Sequence, residues 1–255
     1  MTALDPAFLK APIAHRAFHD RAAGRPENSL AAVRAAVAAG YGIEIDLQPS
    51  ADGVAMVFHD DDLDRLTGQA GPVAAKTAAE LGRLRLLGTD QPVPTLAQVL
   101  AEVAGRVPLL IEVKDQDGAL GPKVGALEAA AAAELRRYDG PLAVMSFNPH
   151  SVAALAQELP GVARGLTTGS YPPDNWPQVP AAVLQRLRGI PDYDRVGASF
   201  ISHEARDLAR PRVAELKGQG ARILCWTVRS AADEARARAI AENVTFELYP
   251  ARIGP

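Results

Sequence analysis

Short apolar, β-branched runs alternate with alanine-rich helical stretches from one end of this chain to the other. The runs predict strands at 12–15, 42–47, 108–113, 141–146, 162–166, 195–200, 221–227 and 243–247. Helices are predicted between them, at 28–39, 95–104, 122–137, 149–158, about 179–188, 204–218 and 230–241. Asn28 stands where the first helix needs an N-cap, and Gly40 where it needs a stop. Eight strands alternating with helices in 255 residues match an α/β fold of the (β/α)8 (TIM) barrel type in number and size. The competing architecture is an open doubly wound sheet, which often carries a glycine-rich nucleotide loop. Neither GxGxxG nor GxxxxGK[ST] occurs here.

One segment interrupts the alternation. Residues 48–94 are too long for a simple connection. They hold a strand-like VAMVF (54–58), then HDDDLDRLTG, then a predicted helix over 77–86. We read them as an insertion after the second strand that covers one end of the barrel. No Ser/Gly-rich linker and no shift in composition divides the chain, so residues 1–255 are expected to form a single domain.

Strands covered on both faces read as continuous apolar runs, so charges inside them need a reason. In GIEIDL, Glu44 and Asp46 lie two positions apart and share one face. Glu112 and Lys114 do the same at the C-terminal end of the LLIEVK strand, the end at which barrel enzymes carry their active sites. The bland alternative is an antiparallel strand with one wet face. Two such strands in an otherwise βα chain argue against it. Three carboxylates facing one barrel mouth need positive charge between them. Oxygen donors suit a hard divalent cation, Mg2+ or Ca2+, better than zinc. Partial neutralisation by Lys114 without a metal is the rival account.

His15 ends the first strand and precedes Arg16; His59 ends VAMVF and precedes Asp60. Either alone is an ordinary structural histidine. Together, beside the carboxylates, they form a candidate acid–base pair, with Asp60 placed to orient His59. His19 lies in a predicted loop. His150 and His203 stand at predicted helix starts, where surface or capping roles are the ordinary ones. The acidic run from Asp60 to Asp64 fails as an EF-hand, with Arg65 at its sixth position and Gly71 at its twelfth. GxSxG and HExxH are absent.

The charges nearly cancel, 27 Lys+Arg against 30 Asp+Glu, so nucleic acid is an unlikely partner. Cys225 is the single cysteine, which leaves no internal disulfide and no CxxC site. Nothing reads as a signal peptide or as the roughly 18–20 apolar residues of a membrane helix. The expectation is a cytoplasmic protein without membrane insertion, monomer or homodimer.

In order along the chain stand His15-Arg16, Pro26-Glu27-Asn28-Ser29, Glu44-Ile45-Asp46, Asp52-Gly53, His59-Asp60 and Arg65-Leu66-Thr67-Gly68. Pro94-Thr95-Leu96, Glu112-Val113-Lys114, Ser146-Phe147-Asn148 and Trp226-Thr227-Val228 follow. With these pieces the chain resembles the glycerophosphodiester phosphodiesterases over essentially its whole length. The resemblance implies a TIM barrel with a small insertion after the second strand. It implies a divalent metal held by Glu44, Asp46 and Glu112, and His15 and His59 as general acid and base. Arg16 and Lys114 would hold the phosphodiester, Glu27 and Asn28 would support the site, and Trp226 would line the pocket near the glycerol or the leaving group. The implied activity releases sn-glycerol 3-phosphate from small glycerophosphodiesters. A lysophospholipase D-like activity on lysophospholipids is the near alternative, a non-catalytic phosphodiester-binding barrel the distant one. Two positions depart from the family pattern. Ala17 stands where glycine is common after Arg, which matters only if that residue needs positive φ. Leu248, preceded by Glu247, stands where many members carry an Asp, which leaves the role of a last acidic residue open.

Overall fold

Eight parallel strands pair side by side, and the first pairs with the last, so the sheet closes on itself. The structure, a computed structural model, describes residues 2–254. Its strands are β1 (Ile13–Ala14), β2 (Gly42–Pro49), β3 (Ala55–Val57), β4 (Leu109–Val113), β5 (Leu142–Ser146), β6 (Ala163–Thr168), β7 (Phe200–Glu204), β8 (Arg222–Val228) and β9 (Asn243–Phe246). Around the barrel the order is β1-β2-β4-β5-β6-β7-β8-β9. Only β3 is antiparallel, and it lies outside the ring on β2. The helices are α1 (Leu30–Ala39), α2 (Asp64–Thr67), α3 (Ala78–Leu81), α4 (Leu96–Val103), α5 (Ala126–Leu135), α6 (Pro149–Glu158), α7 (Ala181–Leu187), α8 (Pro211–Gly218) and α9 (Ala231–Ala237). This is the expected TIM barrel.

Period two along the strands sorts the side chains into two cores. Ile43, Ile45, Leu47, Leu109, Ile111, Val113, Ile201 and Ile223 face outward and pack under the helices. Ile13, Leu110, Ala143, Ala163, Phe200 and Leu224 face inward, and Leu4 and Phe8 from the N-terminal segment join them as a plug. The Phe200 ring fills this interior so fully that a Cβ on Gly165 of β6 would lie 2.3 Å from it. One end of the barrel is therefore sealed by this apolar plug, which Asn243 of β9 ties down by donating from Nδ2 to Phe8 O and Ala11 O, and the carboxylate cluster lies at the other end.

Several boundaries moved. Helix α1 is capped by Ser29, whose side chain accepts from Ala32 N, and not by Asn28. Asn28 takes φ 57° and is recruited elsewhere. The seventh strand occupies Phe200–Glu204, not 195–200. Residues 191–197 form turns, held by Val196 N donating to Asp192 O and by Gly197 at φ 62°. Helix α8 accordingly starts at Pro211, not 204, with proline at its first position. His203 is not at a helix start. It is fully buried on β7, between Thr168 and Asp207. Among the described residues no helix follows the last strand; Ala251 of the trailing segment accepts from Tyr41 Oη.

The insertion folds around its own small core of Met56, Phe58, Leu63, Val73, Leu81, Leu86 and Val93. Its helix is shorter than the expected 77–86. Thr77 and Glu80 cap it reciprocally, and Gly82 ends it after one turn.

Candidate active site

The polar residues converge at the C-terminal ends of the strands. Glu44 and Asp46 point inward from β2 and Glu112 from β4, with Asp46 and Glu112 directly paired across the two strands. All three are buried, and one oxygen from each lies within 4.8 Å of the others. Beyond β1 the chain turns sharply over this cluster, through Arg16 at φ 51° and Ala17 at φ 65°. Non-glycine residues pay for that conformation. Here Glu44 holds the turn on both sides: Arg16 N donates to its Oε2 at 2.8 Å and Ala17 N to its backbone carbonyl at 2.9 Å.

Asn28 reaches in to donate from Nδ2 to Asp46 Oδ2 at 2.9 Å. Glu27 takes Arg16 at 2.7 Å and Arg65 at 2.8 Å. The Arg16 guanidinium also lies 3.6 Å from Asp46 through Nε, which is buried without a hydrogen-bond partner. The Lys114 ammonium bridges Asp46, at 2.6 Å, and Glu112. Burial would lower its pKa, but those two carboxylates outweigh burial and raise it. The lysine forms ion pairs with both of them and none with Glu44. Burial, then the charges of Asp46 and Glu112, push the Glu44 carboxyl well above the ordinary range. Asp46 goes the other way: Lys114, His59 and Arg16 overcome its burial and hold it far below. An all-oxygen cluster of three carboxylates around one ammonium fits a hard divalent cation better than it fits Lys114 alone.

Each expected acid–base histidine leans on a carboxylate. His59 Nδ1 lies 2.7 Å from Asp60 Oδ1, and Asp60 Oδ2 accepts from Arg65 Nε at 2.6 Å. His15 Nδ1 lies 2.7 Å from Glu247 Oε2. Burial lowers the pKa of His15 and the Glu247 contact opposes it. His15, Arg16, Glu44, Asp46, His59, Glu112, Lys114 and Trp226 together line an inner pocket of about 140 Å³, so the structure gathers all eight expected residues in one place. The Trp226 indole donates to Ser202 O at 3.0 Å and packs edge-on against Phe147. Outside lies a wider cleft of about 780 Å³, walled by the 60–65 segment and by Asp115, Leu120, Phe147, Trp176 and Val179.

The family model "Glycerophosphoryl diester phosphodiesterase family" matches residues 15–243. The chain belongs to that family. YhdW of Bacillus subtilis, assigned by name to the glycerophosphodiester phosphodiesterases, is 27% identical over 93% of this chain and 94% of its own length. Glycerophosphodiester phosphodiesterase 1 of Bos taurus is 37% identical over 112 residues, 40% of this chain but only 33% of that protein. Among solved structures, an Oleispira antarctica phosphodiesterase in complex with the product sn-glycerol-3-phosphate superposes with a TM-score of 0.78, at 24% identity, over 96% of this chain and 95% of that one.

Against the pattern of the glycerophosphodiester phosphodiesterases, both departures now have a physical account. Ala17 does take positive φ, so this chain carries a methyl group in a conformation that favours glycine. Leu248 is 74% exposed at φ 69°, and the acidic residue that meets a site histidine is its neighbour Glu247. The sequence reading left Glu247 and Arg229 without roles. The only signal for Glu247 was a carboxylate at the end of an apolar strand.

Proposed function

We propose that this protein hydrolyses small glycerophosphodiesters to sn-glycerol 3-phosphate and an alcohol, with a divalent cation, Mg2+ or Ca2+. The observation that carries this reading is the meeting, in one small pocket, of two carboxylate-backed histidines with the carboxylate cluster. Glu44, Asp46 and Glu112 would hold the cation. When bound, it neutralises charge on the phosphodiester and on the transition state. Arg16 and Lys114 bind the phosphoryl oxygens; the unpartnered Arg16 Nε supports this. One of His15 and His59 accepts the proton of the attacking hydroxyl as its oxygen bonds to phosphorus; that hydroxyl comes from water, or from the substrate's own glycerol, in which case a cyclic phosphate forms first and water then opens it to sn-glycerol 3-phosphate. The other protonates the departing alkoxide as the P–O bond to it breaks. The inner pocket suits the constant phosphoglycerol half, and the wide cleft admits alcohols of different size. Trp226 forms the inner wall.

One observation favours a second reading. Leu120, Phe147, Trp176 and Val179 give the cleft an apolar side that an acyl chain can follow, so a lysophospholipid belongs on the substrate panel. The insertion adds no apolar side chain to that side; it lines the cleft with His59, Arg65 and the aspartates between them. The test is glycerol 3-phosphate release from a panel of glycerophosphodiesters, with EDTA and with Mg2+ or Ca2+ restored. Lysophosphatidylcholine is assayed alongside for choline release. Metal-dependent release from the short diesters is expected. Turnover of the lysolipid alone favours the second reading, and no turnover of any substrate by folded, metal-loaded protein leaves a binding-only barrel.

A further inference from the structure

Both site histidines are supported in the same way, although the parts come from unrelated places in the chain. His59 is followed directly by its carboxylate, and Arg65 clamps Asp60 from one helical turn on. His15, on the first strand, meets Glu247, which follows the last strand 232 residues away. Barrel closure brings them together, because β1 pairs with β9 and His15 N donates to Phe246 O. Both oxygens of Glu247 are engaged: Oε2 by His15 at 2.7 Å, Oε1 by Arg229 Nε at 2.7 Å. Burial would push the Glu247 carboxyl up, but His15, His19 and Arg229 hold it well below the ordinary carboxylate range.

We propose that Glu247 is the positioning residue of His15 and that Arg229 holds Glu247 in place. An ionised carboxylate at Nδ1 accepts a hydrogen bond, so Nδ1 keeps its proton and Nε2 is the free nitrogen. The same contact fixes the ring orientation and steadies the imidazolium that forms when Nε2 takes a proton. The proton on Nδ1 does not move; only Nε2 exchanges one with substrate. Leu248 cannot substitute, being apolar and exposed. The catalytic part of this inference rests on the proposed acid–base role of His15, while the tautomer itself does not.

The experiment is long-range 1H–15N NMR of 15N-histidine-labelled full-length protein, with the His15 signals identified by their loss in His15→Gln. The wild type is expected to show neutral His15 protonated at Nδ1. In Glu247→Ala the Nε2-protonated form should take over, while the His59 signals stay put. In parallel, kcat on glycerophosphocholine should fall by about 100-fold or more in Glu247→Ala, with KM within about threefold. Glu247→Asp should recover about tenfold of that loss, and Arg229→Ala should cost about three- to tenfold. An Nε2-protonated His15 in the wild type overturns the proposal, as does a folded Glu247→Ala enzyme with kcat within threefold of wild type. If Glu247→Ala does not fold, the wild-type tautomer and Arg229→Ala decide. A wild type that turns over no diester defeats the proposed function, and the tautomer still decides the role of Glu247.

Discussion

At the scale of single residues, the site sets groups of like type to opposite tasks through their surroundings. His15→Ala and His59→Ala are each expected to abolish glycerol 3-phosphate release while circular dichroism and the melting temperature stay near wild type, since neither ring supports a packed core. Retained turnover in either variant removes that histidine from the mechanism. Glu44 makes a sharper case. Its folded pKa lies well above its ordinary 4.5, so between those values the folded state holds a proton that the unfolded state has lost. Stability without a cation therefore falls as pH rises from about 4.5. Asp46 has the opposite sign, its contribution being lost only as pH falls through its depressed value. Comparison with Glu44→Gln isolates the first effect. The amide carries no charge to penalise, so near pH 8 the cation-free variant should melt at or above the wild-type temperature, yet need at least about tenfold more Mg2+ or Ca2+ for stabilisation. Thermal melts across a metal titration at pH 5 and pH 8 check both halves; a variant less stable than wild type without metal at pH 8 contradicts the account. Seven of the eight expected site residues stood out because charged or histidine side chains interrupt or end apolar strands; Trp226 came from the family resemblance alone. Glu247 was not, because its partner lies at the other end of the chain and only barrel closure shows the pairing.

At the scale of elements, what decides legibility is whether a strand's inward face announces itself. β2 and β4 did so through their alternation of charge with Ile and Val. β7 did not. Its inward positions are Phe200, Ser202 and, at its very last residue, Glu204, and its outward side includes a buried histidine that hydrogen-bonds Thr168 of the neighbouring strand. A His-Glu pair beside turn residues reads as a helix start, and the true start at Pro211 was outweighed. The register of β7 on β6, Gly165 opposite Phe200, is what aligns this part of the barrel. Gly165→Ala tests it. The added methyl would meet the Phe200 ring at 2.3 Å, inside a core with no slack. A loss of about 1–3 kcal/mol is expected from overpacking, measured by chemical denaturation, and pairing it with Phe200→Leu should recover part of that loss. Unchanged stability in Gly165→Ala would mean that the ring is free to move and does not set the register.

At the scale of the whole molecule, the barrel divides its ends between stability and chemistry, and the chemical end has a charge of its own. The chain's net charge is only −3, yet the cleft outside the pocket is lined by Asp60, Asp61, Asp62, Asp64 and Asp115, with Arg65 and Lys114 as its cations. Arg65 is paired to Asp60 and Lys114 to Asp46 and Glu112. Among the described residues Asp61, Asp62, Asp64 and Asp115 meet no ion-pair partner, so the mouth is negative at the place the proposed function gives to the alcohol half of the substrate. Every glycerophosphodiester carries one negative phosphate. With a choline or ethanolamine head the molecule is a zwitterion; with glycerol or inositol it is a net anion. A negative mouth raises the local concentration of the first relative to the second, and the effect is screened by salt. The expected kcat/KM for glycerophosphocholine exceeds that for glycerophosphoglycerol by about three- to tenfold at 20 mM salt, narrowing by 300 mM. Exposed Asp62 and Asp64 touch none of the histidines or the carboxylate cluster, so Asp62→Asn with Asp64→Asn should narrow the ratio at low salt without removing turnover. A ratio that ignores both salt and the double substitution would place head-group selection in close contacts with Phe147 and Trp176 instead of in the field of the mouth.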